Sequence, residues 1–231
     1  MGCVTTDAHR KRRLALFGAG LLVLMGAVAL VMAMASGGSS PATKAGIRFA
    51  GVPQQGNVLG DADAKATLMV FADMQCPYCR QFETQAFPSI VDRYVKTGKL
   101  KVVFQPISVL GNDSVVASRA VAAAARQNKL FDYASVFYAN QEQENSGYVT
   151  SGFMTKIAKA VPGLHVAKWK SDLQSGAGSS LLSDAQRAAQ TAQIAATPSF
   201  RAGRTGATLS PLEVSSLTPD AFSGRLGALT R

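Results

Sequence analysis

The chain has 231 residues, 47% of them hydrophobic, three cysteines and a formal charge of +10. That apolar content supports a core without staples, and so few cysteines exclude a disulfide-rich scaffold. Setting aside the four basic residues and one acid of residues 1–35 leaves about +7, scattered over sites such as Lys99, Lys101, Lys156, Lys159, Lys168 and Lys170. With no dense basic run and no interleaved aromatics, this is a solvated surface, and no nucleic-acid partner is expected.

Residues 1–13 are polar and end in Arg10-Lys11-Arg12-Arg13, a basic cluster that belongs on the cytoplasmic side. The uncharged stretch Leu14–Ala35 would span roughly 33 Å as a helix, enough to cross a bilayer. Ala33-Met34-Ala35 before Ser36 also has the small residues of a signal-cleavage site. The length favours a retained anchor at 14–35 over a cleaved signal, and both readings export the chain beyond Ala35. Met1-Gly2-Cys3 loosely fits a myristoylation pattern, redundant beside a spanning segment, and Cys3 reads as a free cytoplasmic thiol. Residues 36–58 read as a tether: flexible and rich in Gly, Ser, Pro and Ala as far as Gly46, with Ile47–Val52 as an edge strand.

A turn at Gly60–Ala64 delivers the chain into Thr67–Ala72, a short continuous apolar run that predicts a buried strand. Cys76-Pro77-Tyr78-Cys79 comes next, and Phe82, Phe87, Ile90, Val91, Tyr94 and Val95 then recur at helical spacing until Gly98. A cysteine opening a helix sits beside unpaired N–H groups at the positive end of the macrodipole, which favours the Cys76 thiolate. Pro77 suits the first helical position, where its missing donor costs nothing. Cys79, nearly one turn later, is placed to close a disulfide with Cys76 and to resolve a mixed disulfide. A bare C-x-x-C also serves as half of a zinc site, but such a site needs a second pair, and only Cys3, His9 and His165 remain. Redox chemistry is therefore the preferred reading, with no metal expected.

Lys99–Phe104 predicts a second strand ended by Pro106, completing a parallel βαβ unit over residues 59–106. Residues 107–194 change texture and predict five helices. They run over Val115–Arg126, then Leu130–Tyr138, then Phe153–Val161 up to Pro162-Gly163, then Val166–Leu173, and finally Ser180–Ile194. Trp169 reads as a core anchor and His165 as an exposed loop residue. In residues 195–231, Thr197-Pro198-Ser199-Phe200 opens a strand, Gly203–Gly206 turns it, Ala207–Ser210 returns, and Thr218-Pro219-Asp220 starts a final helix.

This order, β-α-β, a helical block, then β-β-α, resembles a thioredoxin-like α/β fold with an inserted all-helical subdomain, preceded here by the N-terminal transmembrane helix. That is the arrangement of the DsbA-like thiol–disulfide oxidoreductases. The match rests on Phe71-x-Asp73-x-x-Cys76-Pro77-Tyr78-Cys79-Arg80-Gln81-Phe82-Glu83 and Thr197-Pro198-Ser199-Phe200, and more weakly on Asn128–Phe131 and Phe137–Gln141. The resemblance implies a cis Thr197–Pro198 bond facing the cysteines, with Thr197 and Pro198 positioning substrate. It also implies that Glu83 lies near the buried cysteine and serves as its proton acceptor; a plain surface position on the helix is the other reading of Glu83. Tyr78 departs from the strongly oxidising members, which carry His there. A neutral phenol predicts a Cys76 pKa below that of a free thiol but not at the extreme.

The expectation is an exported, membrane-tethered oxidoreductase that makes disulfides in extracytoplasmic proteins through Cys76 and Cys79. Pro77, Tyr78 and Glu83 modulate the pair, which needs no organic cofactor. Its partners would be reduced protein substrates and a membrane redox protein that recycles the site. Reduction or isomerisation of disulfides at the same site, or a Cu(I)- or zinc-carrying role for the cysteine pair, are the alternatives.

Overall fold

The structure is a computed structural model that describes Lys44, Gly46 and residues 49–231. The expected transmembrane helix at 14–35 and the free thiol Cys3 lie outside the described residues. Among those described, no helix is long and apolar enough to cross a membrane.

A six-stranded mixed sheet, in the order β1-β2-β4-β3-β5-β6, forms the centre. Its strands are β1 Gln54–Gln55, β2 Val58–Leu59, β3 Ala66–Ala72, β4 Leu100–Pro106, β5 Ser199–Arg204 and β6 Ser210–Pro211. Strand β3 is parallel to β4, with Leu68 opposite Val102, and antiparallel to β5, with Val70 opposite Phe200. Its apolar run is continuous because both faces are covered: Leu68 and Val70 enter the main core, and Phe71 enters a second, smaller one. The βαβ unit has the parallel pairing that its sequence predicts.

The first helix, α1 (Pro77–Gln85), stops earlier than the apolar spacing suggests. Pro88 has no N–H to continue the ladder, so the chain resumes as a short turn, α2 (Phe87–Ile90), and then a π-turn over Val91–Val95 closed by Lys96 N–H donating to the Val91 carbonyl. Gly98, in the left-handed region at φ +69°, ends the segment where expected. Phe82 of α1 packs on Phe87, Phe200 and Phe222, fixing the redox helix to β5 and to the C-terminal helix.

Four helices form the insertion: α3 (Asn112–Ala125), α4 (Leu130–Ala139), α5 (Ser151–Ala160) and α6 (Val166–Ser175). Trp169 is its anchor, stacked on Tyr133 with Nε1–H donating to the Ala120 carbonyl at 2.9 Å. The fifth helix, α7 (Ser179–Thr191), differs from the reading that placed it within the helical block. Ala185 and Ala189 pack with Phe71 and Ile107 on the second sheet face, so α7 belongs to the sandwich. The helix is clearly amphipathic, but nothing in its pattern says against which layer the alanine face packs. Where α7 begins, Gly178 approaches α3 so closely that a Cβ would lie 2.7 Å from Ala122 Cβ and 2.8 Å from its carbonyl carbon.

Two further segments depart from expectation. The edge strand at 47–52 is absent from its described part, residues 49–52, where the chain turns; the strands come later, as the β1–β2 hairpin. The described part of the 36–58 tether is also held. Lys44 exchanges two backbone hydrogen bonds with the Asn140 side chain, both 2.7 Å, and Phe49 is buried between Phe87 and Phe131. At the other end, β5 continues through Gly203 and Arg204 because Thr205 binds the start of β3, its N–H donating to the Lys65 carbonyl and its hydroxyl to that of Ala64. The turn is thereby displaced, and the returning strand is Ser210–Pro211. Helix α8 (Pro219–Leu229) starts at Thr218 as expected, although the Thr218 hydroxyl pairs with Ser216 and does not cap the helix.

The contact at Gly178 yields a stability test. Gly178→Ala forces a methyl against Ala122 backbone and should lower unfolding free energy by about 1–3 kcal/mol. Chemical denaturation measures it, and an unchanged midpoint would show that the α3–α7 approach can relax freely.

Candidate active site

The loop from Asp73 to Cys76 joins β3 to α1 and lies outside both ladders, so its polar groups are satisfied from elsewhere. Asp73 is buried and accepts four hydrogen bonds. On one oxygen these come from the Gln75 N–H (2.8 Å) and the Ser114 hydroxyl (2.7 Å), on the other from the N–H groups of Val109 (2.7 Å) and Leu110 (3.1 Å). Gln75 is buried as well, bound to Ser114 and to Asn145, whose N–H donates to its Oε1 at 2.8 Å. Tyr138 Oη donates to the Asp73 carbonyl at 3.1 Å, and Gln141 Nε2 donates to the carbonyls of Met74 (2.9 Å) and Cys76 (3.2 Å). The insertion thus grips the redox loop from α3, α4 and the segment after α4.

Cys76 is the N-cap of α1 with extended backbone, Pro77 is the first helical residue, and the Cys79 N–H donates to Cys76 Sγ at 3.4 Å. Both cysteines are buried thiols, with Pro77 and Tyr78 exposed beside them. The Cys76 pKa is lowered from 9.0 to about 6. Its largest cause is a hydrogen bond from the Cys79 thiol, which outweighs the upward push of burial; the Thr197 side chain and the N–H groups of Cys79 and Tyr78 add to it. The helix amides expected from the sequence do act, but as the smaller contribution. Tyr78 acts on the sulfur through its backbone N–H. Cys79 is pushed the other way, well above 9.0, by burial and then by Cys76. One sulfur is an anion near neutrality and the other keeps its proton.

The Thr197–Pro198 bond is cis, and the Thr197 carbonyl lies 3.2 Å from Cys76 Sγ, so two segments 121 residues apart meet at the sulfur. An open groove of about 520 Å³ runs from there, lined by Tyr78, Thr197, Pro198, Phe200, Arg201 and Leu212 among others. Tyr78, 63% exposed, forms its lip.

Glu83 is buried, 4% exposed, which removes the surface reading of that residue. Burial raises its pKa from 4.5 to about 8 against the opposing effect of a hydrogen bond from Ser135. Its Oε1 has no partner among the described residues. Burial pushes the Tyr138 hydroxyl well above its usual pKa, and the ionised forms of Cys79, Glu83, Asp73 and Cys76 would each push it further in the same direction. Among the described residues no cluster of three or more His, Cys, Asp or Glu is arranged to hold a metal ion. Sequence reasoning missed Gln75, Ser114 and Ser135, which carry no motif; Tyr138 and Gln141 were visible only as part of the weaker family match.

These shifts imply two pH dependences. Alkylation of Cys76 by iodoacetamide should titrate with a midpoint near 6 while Cys79 stays inert, and a midpoint near 9.0 would overturn the anionic assignment. For Glu83, the folded protein holds a proton that the unfolded chain releases above 4.5. The stability tied to its neutral form is therefore full below 4.5 and is lost as pH rises through about 8. Glu83→Gln should flatten this part of the stability–pH curve; an unchanged slope would show that the carboxyl is solvated.

With the geometry established, comparison places the chain among known proteins. The family model described as thioredoxin matches residues 53–217. A probable disulfide bond formation protein D of Bacillus cereus is 28% identical over 120 residues, covering 51% of this chain and 56% of that one. The disulfide bond formation protein D of Bacillus subtilis is 26% identical over 145 residues, 62% of this chain and 65% of its own length. The matches thus span less than two thirds of these relatives. Among solved structures, oxidised BdbD from Bacillus subtilis superposes with a TM-score of 0.65 at 20% identity, over 81% of this chain and 99% of that one. Chlamydia trachomatis DsbA gives 0.62 at 19% identity, over 75% of this chain and 90% of its own, and both share the fold. Helical insertion, C-x-x-C at the helix start and cis proline opposite it are all present, and the chain belongs to the thioredoxin family, with the DsbA-like form of its fold.

Proposed function

We propose that this chain is a thiol–disulfide oxidoreductase that donates disulfides to proteins. The observation that carries the reading is the pairing at one groove of an anionic Cys76 sulfur, a protonated and buried Cys79, and the cis Thr197–Pro198 bond. In the oxidised protein a substrate thiolate attacks Cys76 Sγ; the Cys76–Cys79 bond breaks, and Cys79 departs as a thiolate that takes up a proton. In this reading Glu83, buried on the same helix with its pKa raised to about 8, supplies that proton and accepts one back from Cys79 when the disulfide reforms. A second substrate thiolate then attacks its own sulfur in the mixed disulfide, and Cys76 leaves as a thiolate. The substrate has lost two electrons and the cysteine pair has gained them. A partner oxidant removes those electrons and restores the Cys76–Cys79 bond.

The cysteines are the redox group, so no further cofactor enters the reaction. A low Cys76 pKa stabilises the reduced form and makes the disulfide oxidising. The reading extends to the exported side of a membrane, with residues 14–35 as anchor, reduced extracytoplasmic proteins as substrates and a membrane redox protein as oxidant. The basic cluster at 10–13 and the uncharged stretch after it support that placement, and the names of the Bacillus relatives support disulfide formation as the activity.

The test is equilibrium against glutathione together with two variants. The potential should lie between about −120 mV, the value for DsbA, and about −270 mV, the value for thioredoxin; a value at or below thioredoxin's would make the protein a reductant. Cys76→Ser should abolish oxidation of a reduced test protein. Cys79→Ser should accumulate a mixed disulfide with it, visible by non-reducing electrophoresis, and retained turnover in either variant would refute the assignment.

A further inference from the structure

We infer that Gln141, a residue of the helical insertion, is a positioning residue for the Cys76 thiolate. The inference rests on the redox reading above and deepens it. The loop before α1 has no ladder to hold its carbonyls, and three of them point at the insertion. Tyr138 takes the Asp73 carbonyl, and the amide of Gln141 takes both the Met74 and the Cys76 carbonyls. A primary amide has two hydrogens on one nitrogen, so a single side chain can bridge two carbonyls two residues apart; a hydroxyl has only one to give. The backbone of Gln141 reaches the other side of the same helix start, its carbonyl lying 3.5 Å from Arg80 Nη1. Gln141 therefore spans the first turn of α1, from two residues before the cap to the residue after the second cysteine. It is buried, so no water competes for these bonds.

The consequence for the sulfur is geometric. Cys76 caps α1 only while its backbone holds the extended conformation, φ −65° and ψ 122°, that aims Sγ back at the Cys79 N–H. The Cys76 carbonyl lies on the far side of that ψ torsion and also accepts the Arg80 N–H at 3.1 Å. A donor from Gln141 on that carbonyl, and another on Met74, pins the peptide plane that follows the capping residue and the plane between Met74 and Gln75, one residue before it. The amide hydrogens also bring positive partial charge to the turn that holds the anion. Without them, Sγ is free to swing off the Cys79 thiol and N–H that stabilise it.

The test uses the full chain carrying Gln141→Leu, which removes both donors at similar volume, and Gln141→Glu, which keeps the shape and replaces donors with acceptors. Iodoacetamide alkylation is followed against pH, and the equilibrium with glutathione is measured beside it. Both variants should move the Cys76 titration upward, Glu further than Leu. Alkylation at pH 6 should slow by about 2–5-fold, as expected for a pKa rising by up to about one unit, and the glutathione equilibrium should shift toward the disulfide. Folded variants with the wild-type titration and equilibrium would overturn the inference, whatever their thermal stability. Loss of cooperative folding in both would likewise overturn it in favour of a purely structural role. If wild-type Cys76 itself titrates near 9.0, the redox reading fails, which is distinguishable from failure of Gln141 alone.

Discussion

A sulfur held as an anion inside a protein must be taken out of water and still be given donors, and those two needs pull in opposite directions. Here Cys76 is almost covered, and burial alone would push its pKa up. The balance is reversed by the thiol of Cys79, the Thr197 side chain and the backbone amides of the first helical turn. Most of these donors lie in the first turn of α1 and one, Thr197, comes from far along the chain, so the full stabilisation of the thiolate needs the redox helix and the segment before β5 to be correctly apposed. The aromatic contacts of Phe82 with Phe200 and Phe222 supply that apposition. One turn below the cysteines, they lock α1 to the strand that Thr197–Pro198 opens.

The second requirement is a loop that neither frays nor slides. Residues 73–76 connect a strand to a helix and carry more buried polar groups than their own secondary structure can satisfy. The insertion meets them with the side chains of Ser114 from α3, Tyr138 from α4 and Gln141 from the segment beyond, and with the backbone N–H of Asn145 in that same segment. Four helices added to a sheet of this kind could serve only to enlarge the binding surface. In this protein they also complete the hydrogen bonding of the redox loop, so the inserted block and the active site are one polar network.

Much of this was legible in the residues themselves. The buried strand, the N-cap cysteine, the proline at N1 and the anchor role of Trp169 come from local pattern, because strand, cap and core positions each restrict residue type. The cis bond at Thr197–Pro198 was accessible only through family likeness, since nothing local distinguishes it from a strand-opening trans proline. Three kinds of feature were hidden. Pro88 interrupts an apolar spacing that otherwise reads as one long helix. The alanines of α7 say little about which face they cover. The thiol of Cys79 acts on Cys76 more strongly than the helix amides do, and that order depends on distances within the folded site, which spacing along the chain does not carry.

The burial of Cys79 bears on how a mixed disulfide divides its fate. Once a substrate is bonded to Cys76, return to the starting state needs Cys79 to attack, and a sulfur that holds its proton so firmly is a slow nucleophile. Departure of the oxidised substrate instead expels Cys76, the better leaving group of the two. In the proposed reaction the pair is thus biased in time as well as in energy: the covalent adduct is committed to delivering its disulfide before the enzyme can take it back.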